Sequence, residues 1–160
     1  MKSLNTIQIE ALISSIPDPE IPVITIKELG ILRKVEMQGD ICVVTITPTY
    51  TGCPAMGMIE SQIKEILSAE GITKLKVELT YSPAWTTDWM SNEAKEKLRK
   101  YGIAPPSHSS CFSNFSNVKV ACPRCTSLNT KLISRFGSTA CKSLYKCEDC
   151  KEPFDHFKCH

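Results

Sequence analysis

CPRCTSLNTKLISRFGSTACKSLYKCEDC, residues 122–150, begins and ends on a CxxC pair. Thiolates at i and i+3 of a tight turn present two sulfurs to one side of a metal ion, and a tetrahedral site takes four. The 21 residues between Cys125 and Cys147 leave room for two strands, LNTKLISRF (128–136) and ACKSLYK (140–146), turning at FGST (136–139). This is zinc-ribbon spacing. Cys122, Cys125, Cys147 and Cys150 are therefore the expected ligands of a structural zinc, although four thiolates also suit an iron–sulfur cluster. A segment as short as 118–160 cannot bury enough hydrocarbon to hold itself, and a bound metal can supply on the order of 10 kcal/mol. Phe136, Tyr145, Phe154 and Phe157 are expected to cover one side of the ribbon. Cys141, Cys159 and His160 are additional ligand candidates. Cys141 falls in a strand, where a thiol usually packs as a small hydrophobe. The last two stand at a terminus, where fraying opposes a stable site.

The chain of 160 residues has nine cysteines, an odd number that a closed disulfide framework would leave unbalanced. MKSLNTIQIEALISSI at the start has no leader-like apolar core, and no run approaches the roughly 20 apolar residues of a membrane helix. A cytoplasmic protein with reduced thiols and no membrane partner is expected. Residues 1–117 carry 11 Lys/Arg against 13 Asp/Glu, a balance of −2, and residues 118–160 carry 8 against 4, a balance of +4. Zinc with four thiolates is itself −2, so the ribbon would retain about +2, too little for a dedicated nucleic-acid binder.

Upstream, the hydrophobic period changes several times. Asn5 can cap a helix over 5–16, with Ile9, Leu12, Ile13 and Ile16 on one face. PDPEIP (17–22) breaks it. Gly30 lets VITIKELG end in a turn with positive φ. ILRKVEM (31–37) and ICVVTIT (41–47) read as a hairpin around QGD. Ile59, Ile63, Ile66 and Leu67 mark a helix over 56–70, ended by Gly71. KLKVELTY (74–81) alternates as a third strand, with Leu75, Val77 and Leu79 on one face. SPAWTTDWM is a loop, and SNEAKEKLRKYG (91–102) is a helix capped by Ser91. The expected fold is α+β: a small mixed sheet with packed helices over 1–104, a Pro/Ser/Asn-rich linker at 105–117, and a zinc-ribbon-like β domain at 118–160.

Cys53, in YTGCPAM (50–56), stands where the second helix begins. Unpaired amides there lower a thiol's pKa, Pro54 fits the first helical position, and the flanking glycines leave the sulfur open. That suits a nucleophile or a soft-metal ligand. A Cys–His hydrolase is disfavoured, since His108, His156 and His160 all lie far along the chain. Cys42, inside a strand, is expected in the core. Asp18 and Glu20 read first as turn residues beside proline. Trp85 and Trp89 read as core cover, with a partner surface as the alternative.

DPEIPVITIKELGIL (18–32), TPTYTGCPAM (47–56) and SPAWTTDWMSNEAKEKLRKYGIAPP (82–106) resemble the α/β domain of the SufT-like iron–sulfur assembly factors. Glu28-Leu29-Gly30 replaces the usual DLG. With the tail CPRC…CEDC…KCH the chain is similar to the PaaD/PaaJ-type family of bacterial phenylacetate-degradation proteins. The resemblance implies a non-catalytic accessory of the phenylacetyl-CoA epoxidase complex that helps mature its iron–sulfur reductase. It assigns transient iron or cluster transfer to Cys53, with Asp18 and Glu20 in the matching acidic motif. A homodimer is a further expectation. The alternatives are a thiol-dependent enzyme using Cys53 and a nucleic-acid-binding ribbon.

Overall fold

The computed structural model describes residues 4–106 and 119–158. By internal packing the chain divides into two units, Met1–Trp85 and Thr86–His160. This boundary lies upstream of the compositional one at 104–105.

In the first unit, helix α1 (Thr6–Ser14) starts on Asn5, whose side chain accepts from the Gln8 amide while Gln8 bonds back to the Asn5 amide. This capping box satisfies two of the donors a helix start leaves open. Strands β1 (Leu32–Gln38) and β2 (Ile41–Ile46) form the expected antiparallel hairpin, and β3 (Leu75–Leu79) runs parallel to β2. The order β1-β2-β3 puts β2 in the middle, and Cys42, Val43, Val44 and Ile46 are all buried. Helix α2 (Ala55–Ala69) supplies the parallel crossover. The core joins Ile9 and Ile13 of α1, Val44 and Ile46 of β2, and Ile59, Ile63 and Leu67 of α2. Leu12, Ile66, Leu75 and Val77 are half-buried and Leu79 is exposed, so the apolar stripes thin toward the margins.

PDPEIP does break the chain, and its backbone is tied down. Asp18 N–H donates to Ile24 O at 2.9 Å, and Ile26 N–H to Ile16 O at 2.9 Å. Trp85 is buried, with its indole N–H donating to Leu29 O at 2.9 Å, the core role expected of it.

In the second unit, the stretch expected as loop contains a 3-10 turn, Thr87–Trp89, capped by Thr86. Helix α3 (Asn92–Tyr101) starts on Ser91 and ends on Gly102 at φ 94°, a conformation that suits glycine. The chain then enters the ribbon's sheet. Strand β4 (Ile103–Ala104) pairs parallel with β7 (Pro153–Phe157), and the order is β4-β7-β6-β5, with β5 Thr130–Ser134 and β6 Lys142–Cys147. The two expected strands are present, and β7 and β4 extend them.

Tyr145, Phe154 and Phe157 are buried as expected, whereas Phe136 is 66% exposed. It lies beyond β5, with the Lys158 ammonium 4.6 Å from its ring centre. The core of the ribbon sheet includes Ala104, Val120, Cys122, Tyr145, Cys147 and Phe154. His156 is buried, its ring edge-on to Tyr145, and burial pushes its pKa down to about 4.

Two glycines give opposite expectations. A β-carbon on Gly137 would collide with the Asp155 carboxylate, while one on Gly57 in α2 meets nothing within 4 Å. Gly137→Ala should destabilise the ribbon by about 1–3 kcal/mol. Gly57→Ala should be stabilising by up to about 1 kcal/mol. Urea unfolding of the two variants beside the parent checks both signs.

Candidate metal centre and the Cys53 site

The ribbon cysteines gather. The sulfurs of Cys122, Cys125, Cys147 and Cys150 all lie within 4.8 Å of one another. Cys122 and Cys150 are 3.7 Å apart, and Cys125 and Cys147 are 3.5 Å apart. A disulfide would need about 2.05 Å. A tetrahedron with zinc–sulfur bonds of about 2.3 Å has edges of roughly 3.8 Å. The donor set and its spacing therefore fit a tetrahedral thiolate-bound metal.

Each CxxC forms the same kind of knuckle. Cys122 N–H donates to Ser127 O at 2.9 Å, and Cys147 N–H to Glu152 O at 3.0 Å. Just past each pair, Thr126 (φ 63°) and Lys151 (φ 67°) take the left-handed conformation despite carrying side chains. Such strain persists where surrounding structure imposes it. Asp149, from the second knuckle, accepts from Asn129 at 2.7 Å and from the Ser127 hydroxyl, which links it to the segment after the first. Cys122 and Cys147 are buried, and Cys125 and Cys150 face solvent.

The Cys150 amide donates to the Cys147 sulfur at 3.5 Å, and it is the main cause that lowers the Cys147 pKa to about 7. On Cys150 the Glu152 amide acts downward, but burial and the neighbouring thiols outweigh it and push the group up to about 12. Thiols crowded this closely cannot all ionise without a cation among them. Cys141 stands outside the cluster, buried, with its sulfur 3.0 Å from the Thr139 hydroxyl. Cys159 and His160 lie outside the described residues.

In the first unit, the loop from Thr47 to Pro54 delivers Cys53 to the start of α2, and the sulfur is half-buried. The expected lowering of its pKa is reversed. Burial is the largest cause and raises it; the Ala55 amide acts the other way; the Glu20 charge raises it; the Tyr50 hydroxyl lowers it; and the Asp18 charge raises it again. The helix start does act on the sulfur, but desolvation and two carboxylates prevail. A thiol held protonated is poorly suited to nucleophilic catalysis.

The structure thus brings Asp18, Glu20 and Cys53 within electrostatic reach. Among the described residues, however, the ribbon cysteines are the one group of three or more such side chains whose donor atoms converge. Asp18 is 4% exposed, and its Oδ1 accepts from the amides of Glu20 and Ile21, both at 2.9 Å. Its turn role is therefore observed, and its charge reaches Cys53 from that position. Tyr50, which sequence reasoning did not single out, bonds the sulfur; its place three residues before the cysteine was the available signal. Cys42 is buried in β2, as expected.

Two family profiles match the chain. Residues 106–158 match the family described as the PaaD zinc beta ribbon domain, and residues 7–71 match the iron–sulfur cluster assembly protein family. The chain is 53% identical over 152 residues to the Escherichia coli protein named as the D component of a "Putative 1,2-phenylacetyl-CoA epoxidase", covering 95% of this chain and 92% of that one. It is 35% identical over 89 residues to an Fe-S protein maturation auxiliary factor of Porphyromonas gingivalis, covering 54% of this chain and 84% of that one. Among solved structures, the crystal structure of a domain of unknown function, DUF59, from Bacillus anthracis superposes with a TM-score of 0.54 at 30% identity, covering 58% of this chain and 90% of that one. No helix among the described residues is long and apolar enough to cross a membrane.

Two outcomes follow. The purified chain should carry one zinc, measured by elemental analysis. Stripping it with a chelator removes on the order of 10 kcal/mol of folding energy and should abolish the ribbon's amide-exchange protection. Separately, Glu20→Gln removes a charge that raises the Cys53 pKa. The thiolate fraction at fixed, mildly alkaline pH then rises, and alkylation of Cys53 by iodoacetamide should be faster than in the parent.

Proposed function

The chain belongs to the same family as the Escherichia coli epoxidase component, and on that premise we propose that it is a cytoplasmic, non-catalytic accessory of a phenylacetyl-CoA epoxidase system. Its task is to assist iron–sulfur cluster maturation or transfer to the system's reductase component. The first unit acts as the assembly-factor domain, and the second carries the ribbon. Zinc on Cys122, Cys125, Cys147 and Cys150 holds the ribbon in shape.

The observation that supports this reading is a half-buried Cys53 whose thiol is held protonated first by burial and then by the charges of Glu20 and Asp18. The thiol remains protonated while the site is empty of cations. Iron or a cationic cluster iron, arriving as cargo, relieves the repulsion from both carboxylates, displaces the thiol proton and gains a soft sulfur ligand. Among the described residues no converged ligand set includes Cys53, which favours brief holding over storage, because one thiolate gives up its cargo more readily than four do. The likeness of residues 7–71 to iron–sulfur assembly proteins supports the same assignment.

The test is to produce the reductase together with either the parent chain or its Cys53→Ser variant and to measure iron and acid-labile sulfide per reductase. A severalfold fall in loading is expected with the variant. Equal loading would remove the proposal.

A further inference from the structure

We propose that the outer edge of β5, with the lysine pair beside it, is a docking strip for an acidic, extended segment of a partner protein. The inference rests on the accessory reading above and supplies a recognition surface for it.

β5 is the terminal strand of β4-β7-β6-β5, so one side of its backbone has no strand opposite among the described residues. Such an edge offers alternating donors and acceptors to any extended chain. Lys131 on β5 stands directly opposite Lys146 on β6. Facing like charges cost stability in a sheet. Among the described residues neither lysine has an ion pair with a carboxylate. The register of β5 against β6 shifts between Leu132 and Ser134, and Ile133, the residue at the shift, is 54% exposed. The strip therefore alternates positive charge, which no carboxylate pairs, with exposed hydrocarbon.

That pattern selects its occupant. A second copy of this chain would bring the same lysines and be repelled. Nucleic acid would find few cations and no available aromatic platform at Ile133, while the nearby Phe136 ring already carries the Lys158 ammonium. An acidic strand satisfies all three features: its backbone pairs with β5, its carboxylates meet Lys131 and Lys146, and an apolar side chain covers Ile133.

The test uses the zinc-loaded full chain and a fluorescein-labelled dodecapeptide alternating Glu and Val, followed by anisotropy. A Lys–Val peptide and a single-stranded deoxyoligonucleotide serve as competing probes. The Glu–Val peptide is expected to bind most tightly, and more weakly as salt rises. The double variant Lys131→Gln, Lys146→Gln should bind about tenfold less tightly, as losing two exposed ion pairs implies, yet melt no lower than the parent. Ile133→Asp should weaken binding as well, and Cys53→Ser should leave it unchanged. Failure here would leave the reductase-loading result standing, so the two readings are separable. Equal binding of the Lys–Val peptide, tighter binding of the oligonucleotide, unchanged affinity in the double variant, or self-association abolished by Ile133→Asp would each overturn the proposal.

Discussion

Four sulfurs must converge on one point, and the second unit is shaped by that requirement. Its sheet core includes two of the ligands themselves, Cys122 and Cys147. Metal site and hydrophobic core are thus one object. The left-handed Thr126 and Lys151, the Asp149 bridge and the backbone bonds of each knuckle serve the same convergence. In so short a segment a bound metal adds to the modest stabilisation that its small core supplies.

The first unit is held differently. Isoleucines from α1, β2, α2 and the turn between α1 and β1 form its interior. Its proline-rich turn is organised by the Asp18 carboxylate, which accepts two backbone amides. The same carboxylate raises the pKa of Cys53. Asp18 thus organises the turn and adds the smallest of the effects that keep the Cys53 thiol protonated, after burial and Glu20.

Much of this was legible in the sequence because local rules sufficed. The paired CxxC spacing specifies a ribbon, and Asn5, Ser91 and Gly102 mark helix ends where they occur. The shift from period 2 to period 3.6 separates β2 from α2. The misses have a common physical cause, since each depends on neighbours distant in the chain. Phe136 looks like core by composition, but the strand ends before it. Ile103 and Ala104 read as the end of the first domain until β7 offers them a partner. Cys53 looks activated by its helix start, and only the folded chain shows that burial and two acids outweigh the amides. Thr126 and Lys151 give no local sign of positive φ, which only the folded knuckles reveal.

The two indoles lie four positions apart in sequence yet fall in different units. Trp85 is sealed in hydrocarbon with its N–H bonded to Leu29 O, whereas Trp89 is half-buried in the 3-10 turn. Their emission should differ in colour and in susceptibility to quenchers. The unlabelled chain therefore carries two native optical reporters, one tuned to the isoleucine interior and one to the unit that holds the four clustered cysteines, so loss of either can be watched without altering a single atom.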